Sequence, residues 1–439
     1  MSAYDFPPAF LDRMRAQLGE AYPAFAQAMD EEATRGLRWN PLKPCAEAAA
    51  LAELGERIPW EGDGCYLALS STAGSHPLHE AGAYYLQDPA AMLPVAVLDP
   101  KPGEIVLDLC AAPGGKSTQI AGRMAGEGLL VCNEPVPKRA QVLSRNIERM
   151  GIVNAVVTSA MPEQLAGRWA SSFDAVLVDA PCSGEGMFRR HPETRAEWSP
   201  EMAAGCAERQ ASILDEAARL VRPGGRLVYA TCTYNPQENA ENVLAFLARH
   251  PDYSLHAFDL PGAEAPDGML TCYPHERRGE GQFAALLTRD GDEAASLARD
   301  SSLPKASKAQ REALRGFVPG APEADALFGE TLIALPFIPD VKGLRVLRLG
   351  LHLGQARGKL FVPDHAWALS AFPPELPRIP LDEAQARNYQ AGEVLRVDAP
   401  LPKGWVLPTL NSLPLGFGKA TDGQIKNHYP KGLRRPITR

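Results

Sequence analysis

The sequence predicts an α/β chain in which a mostly parallel sheet lies between an N-terminal α/β module and a β-rich C-terminal domain. At 439 residues, the chain is long enough for two or three domains. Apolar strands alternate with helical stretches from residue 95 to about 230, which is the pattern of a parallel sheet. Beyond residue 315 the apolar runs are short and strand-like. We therefore expect an N-terminal module, a central domain, a linker and a C-terminal domain over residues 1–94, 95–290, 291–314 and 315–439.

The predicted elements follow one another along the chain. Apolar residues at helical spacing predict helical structure between residues 6 and 35, and a short strand follows at 36–43. Apolar runs predict sheet strands at 104–109, 128–132, 155–158, 174–178, 226–231 and 282–287. Helical patterns lie between them at 117–124, 138–150 and 201–220, and RPGG at 222–225 is a stop signal. We expect irregular structure at 289–315, then strands at 331–337, 344–351 and 404–410 and a hairpin at 411–419.

Composition excludes several classes of protein. The net charge of −8 argues against a protein that coats nucleic acid through charge alone. The C-terminal tail is nevertheless basic, with Lys419, Lys426, Lys431, Arg434, Arg435 and Arg439 against only Asp422. No apolar segment approaches the roughly 20 residues that cross a bilayer, and no secretion signal begins the chain, so we expect a cytoplasmic protein. None of the eight cysteines belongs to a C-x-x-C pair, which gives no indication of a metal site.

A glycine-containing loop follows the first predicted strand of the sheet. Residues 108–116 read DLCAAPGGK, and the loop leads into a predicted helix. Such a loop presents backbone N–H groups at the edge where open α/β sheets bind ligands, and Gly114 and Gly115 permit close approach. Glu134 ends the next strand, where an acid can accept hydrogen bonds from ribose hydroxyls. The glycine spacing matches neither G-x-G-x-x-G nor a phosphate loop, so the pattern indicates a nucleoside cofactor and disfavours NAD.

Two cysteines stand at the ends of two further predicted strands. Cys182 lies in DAPC at 179–182, and Cys232 lies in TCT at 231–233. Because parallel strands end at the same edge of a sheet, the two thiols could face one cleft. Most of the cysteines are expected to be small buried packing residues. A thiol nucleophile beside a nucleoside-like cofactor is compatible with only a few chemistries.

Together, these motifs resemble the Sun/Fmu type of RNA cytosine methyltransferases, which use S-adenosylmethionine. The matching segments are DLCAAPGGK at 108–116, NE at 133–134, DAPCSGEGMF at 179–188, TCTYNPQEN at 231–239 and GEGQF at 279–283. LRWNPLK at 37–43 and YYLQD at 84–88 fit as well. The GEGMF segment, with PLGFGK at 414–419 and KNHYPKGLR at 426–434, is similar to the RsmF branch of that family.

The resemblance implies a Rossmann-like methyltransferase sheet that binds S-adenosylmethionine, an N-terminal RNA-substrate module and a PUA-like RNA-binding domain at the C-terminus. Its implied partner is ribosomal RNA or the small ribosomal subunit. We expect no metal and no membrane, and we expect a monomer, although the sequence does not reveal the oligomeric state. The cofactor contacts that it implies are Cys110, Ala111, Ala112, Pro113, Gly114, Gly115, Lys116, Glu134, Arg139 and Asp179.

Methylation of cytosine at carbon 5 requires covalent catalysis. A thiolate that adds to carbon 6 breaks the aromaticity of the ring and lets carbon 5 attack a methyl group. A second group then removes the carbon-5 proton or assists elimination of the thiol. The sequence alone leaves open which cysteine has which task, since DNA cytosine methyltransferases use the Pro-Cys cysteine as nucleophile. The family resemblance assigns Cys232 as the nucleophile and Cys182 to product release, and Asp179 would position the base.

The chain departs from the family pattern at two segments. Thr158-Ser159-Ala160 stands where many relatives have an aspartate near the adenine, and Phe188-Arg189-Arg190 replaces Phe-Arg-Lys. The candidate phosphate contacts are Arg38, Lys43, Arg189 and Arg190. Alternative hypotheses are the same chemistry on transfer RNA or DNA, a catalytically silent RNA-binding assembly factor, and an NAD-dependent oxidoreductase.

Overall fold

The structure is a computed structural model that describes residues 5–45, 54–300, 302–397 and 400–435, so Arg439 of the basic tail lies outside the described residues. In its described residues, the N-terminal module has four helices and a four-stranded antiparallel sheet of order β2-β3-β1-β4. Its elements are α1 (Pro8–Leu18), α2 (Tyr22–Asp30), β1 (Arg35–Trp39), β2 (Leu54–Ile58), β3 (Glu61–Leu67), α3 (Pro77–Glu80), β4 (Tyr84–Leu86) and α4 (Leu93–Leu98). The helical stretch predicted at 6–35 is interrupted at Gly19, whose φ of 52° ends α1.

The central sheet has nine strands in the described part of the chain. Eight of them follow the order β10-β14-β9-β8-β5-β6-β7-β17, and β13 also pairs with β14. The elements of this part are β5 (Ile105–Asp108), α5 (Gly115–Arg123), β6 (Leu129–Asn133), α6 (Pro137–Arg149), β7 (Ala155–Thr158), α7 (Pro162–Arg168), β8 (Phe173–Asp179), α8 (Pro200–Leu220), β9 (Val221–Thr231), α9 (Ala240–Arg249), β10 (Tyr253–Leu255), β11 (Phe258–Leu260), β12 (Ala263–Ala265), β13 (Met269–Cys272) and β14 (Gln282–Arg289).

Five adjacent strands of this sheet, β7-β6-β5-β8-β9, are parallel, and β14 joins them antiparallel to β9. This arrangement confirms the predicted α/β class and the strands predicted at 104–109, 128–132, 155–158, 174–178, 226–231 and 282–287. The chain order reverses between β5 and β8, and such a switch point leaves a crevice at the carboxyl ends of the strands.

The C-terminal part combines short strands with three helices in its described residues. These are α10 (Lys308–Phe317), β15 (Ala326–Phe328), β16 (Thr331–Ala334), β17 (Val346–Leu349), β18 (Leu351–Arg357), β19 (Leu360–Pro363), α11 (His365–Leu369), β20 (Arg378–Pro380), α12 (Glu383–Ala391), β21 (Leu395–Arg396), β22 (Gly404–Leu410), β23 (Leu413–Pro414), β24 (Gly418–Thr421) and β25 (Gln424–Asn427). Strand β17 leaves this part and pairs antiparallel with β7 of the central sheet.

One local prediction differs from the structure and another is confirmed. Irregular structure was expected over 289–315, but α10 begins at Lys308, because Ser307 and Gln310 form a capping box and Ala313 and Leu314 are buried. The stop predicted at RPGG, residues 222–225, is confirmed, because α8 ends at Leu220, and these residues open β9. None of the helices in the described ranges is long and apolar enough to cross a membrane.

The N-terminal and C-terminal modules share a hydrophobic core. Leu37 and Leu78 of the first module are fully buried in one cluster with Tyr389 and Ile425 of the last. The core on one face of the central sheet likewise includes Leu349 from β17. Because side chains from distant parts of the chain fill the same cores, the described modules are expected to unfold together.

The shared core gives a stability prediction. Ile425→Ala removes a fully buried side chain and should destabilise the protein by about 2–5 kcal/mol, because it leaves a cavity. Leu360→Ala, at a side chain that is 73% exposed, should change stability by less than about 0.5 kcal/mol. Urea unfolding followed by circular dichroism measures both. An early partial transition in Ile425→Ala that leaves the central sheet folded would show that the modules do not unfold together.

Candidate active site

A cavity of about 610 Å³ opens at the carboxyl ends of β5, β6, β8 and β9. Its volume is typical of a site for a small-molecule ligand. One side is lined by residues from the loops after β5, β6 and β7 and from the starts of α6 and α7. These residues are Cys110, Ala112, Glu134, Pro135, Val136, Arg139, Met161, Pro162 and Glu163. The other side has Asp179, Ala180, Pro181, Cys182, Arg209, Ser212, Ile213, Glu216 and Cys232. The crevice expected from the strand order thus contains several of the predicted cofactor contacts, among them Glu134 and Arg139, together with both thiols.

The loop after β5 adopts a tight conformation. The Ala112–Pro113 peptide bond is cis, and Gly114 has a φ of 113°, which residues other than glycine rarely adopt. The Ala111 N–H donates to the Asn133 carbonyl at 2.8 Å, so the loop lies against the end of β6. Gly115 begins α5, and Lys116 in its first turn donates to Asp179, which lines the cavity.

Asp108, at the end of β5, lies beneath this loop and is fully buried. One carboxylate oxygen accepts a hydrogen bond from Ser117 Oγ at 2.6 Å, whereas the other has no partner in the described residues. Burial raises the pKa of Asp108 to about 7, although the Ser117 hydrogen bond opposes the shift. Asp108 therefore holds the start of α5 in place beneath the cavity.

Glu134 extends from the end of β6 into the cavity and is 3% exposed. Its Oε1 accepts from the Val136 N–H at 3.0 Å, and Arg139 lies 3.4 Å from its Oε2. Arg139 also donates to the Ala112 carbonyl at 3.0 Å, which ties the two loops together. A fixed acid at this position is suited to accept hydrogen bonds from ribose hydroxyls.

The wall next to Glu134 was not identified from the sequence. Thr158 Oγ1 donates to Asn133 Oδ1 at 2.8 Å and Ser159 Oγ donates to the Pro135 carbonyl at 3.2 Å, so both hydroxyls have partners within the protein. The wall instead has Val136 and Met161, which are 47% and 50% exposed, together with Pro162 and Glu163. Exposed apolar side chains around a cavity can pack against the faces of a flat aromatic ring such as that of adenine. The sequence signal that could have identified these wall residues is their position in the loops directly after β6 and β7.

The structure brings the two predicted thiols together. Cys182 Sγ lies 3.1 Å from Cys232 Sγ, and the Cys232 N–H donates to Cys182 Sγ at 3.3 Å. Both side chains are half-buried and line the cavity. The hydrogen bond with Cys232, together with burial, raises the pKa of Cys182 well above its usual value. Cys182 is therefore a neutral thiol at physiological pH when Cys232 is beside it.

Lys116 and Asp179 form an ion pair beside the thiols. Lys116 Nζ donates to Asp179 Oδ2 at 2.7 Å. Burial alone would lower the pKa of Lys116, but the charge of Asp179 and this hydrogen bond outweigh it and raise the pKa. The lysine predicted as a loop residue thus links the cofactor loop to the strand that precedes Cys182. Cys110, also on the cavity wall, has a pKa raised by burial and by neighbouring carboxylates, so its thiol stays neutral.

The predicted phosphate contacts are wrong for three of the four cations. Arg38, Lys43 and Arg189 are buried. Arg38 donates to Thr118 Oγ1 of α5 at 2.8 Å, and Lys43 donates to two backbone carbonyls. Arg189 pairs with Glu280 at 2.9 Å. These cations satisfy acceptors where the N-terminal module meets the central domain, which the sequence could not show. Arg190 is partly exposed and lies 3.3 Å from Asp88.

The fold and the site define a class of protein. A parallel sheet with a ligand loop after β5, an acid after β6 and an adjacent cavity is the arrangement of an S-adenosylmethionine-dependent methyltransferase. The glutamate, the helix N-terminus and the apolar wall fit that cofactor. In the described residues, no group of three or more His, Cys, Asp or Glu side chains could hold a metal ion.

Comparison with known proteins specifies the family. The model of the 16S rRNA methyltransferase RsmB/F matches residues 95–288, and the model of the RsmF N-terminal domain matches 6–89. The RsmF first C-terminal domain matches 318–370, and the RsmF PUA domain matches 376–435. Ribosomal RNA small subunit methyltransferase F from Salmonella agona and that from Salmonella typhi are each 33% identical over 465 residues, covering 98% of this chain and 97% of theirs. The chain belongs to the RsmF family of 16S rRNA methyltransferases.

Solved structures agree with this assignment. A methyltransferase homolog protein from Pyrococcus horikoshii is 27% identical, with a TM-score of 0.53, and the match covers 64% of this chain and 99% of that one. NSun6 from the same organism, solved with SFG, is 20% identical with a TM-score of 0.59, over 66% of this chain and 100% of its own. The second likeness shows the fold alone. The predicted methyltransferase fold, family and S-adenosylmethionine cofactor are confirmed.

The position of Glu134 gives a prediction about cofactor affinity. Glu134→Gln should weaken S-adenosylmethionine binding about 10–100-fold, because a hydrogen bond to a charged acceptor becomes one to a neutral amide. Glu104→Gln serves as the control, since Glu104 pairs with Arg226 at 2.8 Å at the opposite end of the strands. Isothermal titration calorimetry measures both dissociation constants. Equal affinity in Glu134→Gln and wild type would remove Glu134 from the cofactor site.

Proposed function

We propose that this chain transfers a methyl group from S-adenosylmethionine to carbon 5 of a cytosine in 16S ribosomal RNA, through a covalent adduct with Cys232. It would act as a cytoplasmic monomer. The observation that supports the chemistry is the pair of thiols 3.1 Å apart beside Asp179, in the same cavity as the cofactor loop. The substrate rests on membership of the 16S rRNA methyltransferase family.

In the first step, the Cys232 thiolate adds to carbon 6 of the cytosine and breaks the C5=C6 double bond. The Lys116 ammonium is close enough to Cys232 for an electrostatic interaction, so a cation lies beside the proposed nucleophile. Asp179, at the carboxyl end of β8, accepts a hydrogen bond from the exocyclic amino group and holds the base in position. The bound S-adenosylmethionine supplies the methyl group that carbon 5 attacks.

In the second step, the adduct is resolved beside Cys182. A water molecule takes the proton from carbon 5, and the electron pair of that bond re-forms the C5=C6 double bond as the bond between carbon 6 and the Cys232 sulfur breaks. The sulfur leaves as a thiolate. Cys182, a neutral thiol 3.1 Å from Cys232, can donate a hydrogen bond to the departing sulfur. We therefore propose that Cys182 assists product release.

The two roles predict opposite results for two variants. Cys232→Ala should lower methyl transfer at least about 1000-fold, because no adduct can form, while RNA binding persists. Cys182→Ala should still form the adduct, which should accumulate as a protein–RNA species on a denaturing gel. Cys206→Ala, at a buried cysteine in α8, should leave both readouts unchanged. An adduct that accumulates in Cys232→Ala rather than in Cys182→Ala would reverse the assignment.

The substrate is tested with labelled S-adenosylmethionine. Unmodified small ribosomal subunits, naked ribosomal RNA and transfer RNA are offered in parallel, and the label is mapped by base. Label at carbon 5 of a cytosine in small-subunit RNA supports the proposal. Label on transfer RNA would retain the mechanism and contradict the substrate. Cofactor binding without transfer to any of these RNAs would favour an assembly factor that only binds RNA.

The proposed C-terminal RNA-binding domain, residues 315–439, offers a basic surface. Lys419 on β24 and Lys426 on β25 face each other directly across the sheet, and both are exposed. Neither lysine forms an ion pair with an acid among the described residues. The neighbouring acid, Asp422, pairs with Lys403 at 3.3 Å. Trp405 is the cross-strand partner of Lys419, and its ring lies 4.5 Å from that of His428, centroid to centroid, tilted by 60°. Like charges placed opposite one another are unfavourable alone, so a polyanion such as the RNA backbone would relieve their repulsion.

The basic surface predicts a salt-dependent loss of binding. Replacing both Lys419 and Lys426 with alanine should weaken RNA binding about 10-fold and reduce the slope of log K against log salt by about 2. The turnover number at saturating RNA should not change. Lys101→Ala, in the loop before β5 of the central sheet, is the control for loss of an exposed lysine. An unchanged salt slope in the double variant would exclude this surface.

A further inference from the structure

A buried glutamate lies between the two thiol loops. Glu238 follows β9 by seven residues and is fully buried. Its Oε2 accepts from the Ser183 N–H at 2.9 Å and from Gln210 Nε2 at 2.9 Å. Its Oε1 accepts from Ser183 Oγ. The carboxylate therefore comes from the loop that contains Cys232, but binds the residue that follows Cys182.

Gln210 completes this network from α8. Its amide also donates to the Pro181 carbonyl at 3.0 Å. Its Oε1 accepts from Tyr229 Oη at 3.0 Å, and the Ser183 hydroxyl lies 2.9 Å from Thr233 Oγ1. Both neighbours of Cys182 in the chain are thus held by fixed polar groups, Pro181 by Gln210 and Ser183 by Glu238.

We infer that Glu238 is a positioning residue that holds the Cys182 thiol against Cys232 and so controls release of the methylated RNA. The inference rests on the proposed function, since it concerns the second step of that reaction. Cys182 has only one hydrogen-bonding side-chain partner in the described residues, Cys232. Its place therefore depends on the backbone on either side of it, and Glu238 is the side chain that fixes the Ser183 side of that backbone.

Two substitutions separate the geometry from the negative charge. Glu238→Ala leaves the Ser183 N–H without an acceptor and removes one of the two acceptors of Gln210 Nε2, so the Cys182 loop is expected to shift. Glu238→Gln can preserve every contact. Its amide oxygen replaces Oε2, and its amide nitrogen donates to Ser183 Oγ, whose hydroxyl then donates to Thr233.

The test follows turnover and adduct in parallel. Purified full-length variants are given unmodified small-subunit RNA and labelled S-adenosylmethionine, and the covalent protein–RNA species is measured on a denaturing gel. Glu238→Ala should turn over about 10–100-fold more slowly, as expected for loss of hydrogen bonds to a charged group. The first methyl transfer should remain within about 3-fold of wild type, and the adduct should accumulate as in Cys182→Ala. Glu238→Gln should restore turnover to within about 3-fold and should not accumulate the adduct.

The control is Asp174→Ala at the opposite end of β8. Asp174 also accepts from a backbone N–H, that of Ile105 at 2.7 Å, and pairs with Arg222 at 2.8 Å. It should lower stability without accumulating the adduct, which separates a general loss of packing from the effect on Cys182.

Wild-type turnover with no adduct in Glu238→Ala would overturn the inference. So would loss of the first methyl transfer in a folded Glu238→Ala protein, because that would place the effect on the nucleophile. If Glu238→Ala does not fold, adduct accumulation in Glu238→Gln overturns the inference, and wild-type-like release in that variant supports it. Wild-type enzyme and Cys232→Ala are run beside the variants. Absence of cytosine methylation in the wild type would contradict the proposed function itself, independently of Glu238.

Discussion

The site depends on the parallel pairing of β8 with β9. In this register Asp179 lies opposite Ala230, so the two strands end almost level at the same edge of the sheet. The chain turns into a short loop after each strand, and Cys182 and Cys232 meet at 3.1 Å although 50 residues separate them. A register shift of one residue would turn every side chain of β9 to the other face. The geometry of the thiols is therefore set by the apolar residues that fix this pairing inside the sheet.

The N-terminal module supports the same two loops from outside. Glu185, three residues after Cys182, is fully buried and accepts from Arg13 of α1 at 2.6 Å. Its Oε2 also accepts from the Tyr234 N–H at 3.2 Å, two residues after Cys232. A helix from the start of the chain thus contacts both thiol loops through one carboxylate. Glu238, from the loop after β9, binds the backbone next to Cys182. Together, the two glutamates make the positions of the thiols depend on the N-terminal module as well as on the central sheet.

The parallel strands could be predicted because each is buried on both faces and reads as an apolar run. The 155–158 strand and the thiols at the ends of β8 and β9 were found in this way. Short elements such as α4 and α7 were missed, since six or seven residues do not show a helical period.

Residue roles that depend on burial could not be read from the sequence. Arg38 and Lys43 are cations of the kind found on RNA-binding surfaces. In the structure they donate hydrogen bonds to acceptors of the central domain, which only the tertiary structure brings next to them. The apolar wall at Val136 and Met161 was missed for the same reason, because exposed apolar residues at loop starts gain meaning only from the cavity that they line. Sequence motifs identify the groups that take part in the reaction, whereas the residues that hold those groups in place are identified by their contacts in the structure.

The structure also bears on the choice between the two thiols, which the chemistry of the sequence left open. The Lys116 ammonium is close enough to Cys232 for an electrostatic interaction between them. Around Cys182, the hydrogen bond with Cys232, burial and the charge of Glu238 all favour the neutral thiol. A neutral thiol at Cys182, 3.1 Å from Cys232, suits the proposed role of Cys182 in product release and leaves the attack on carbon 6 to Cys232.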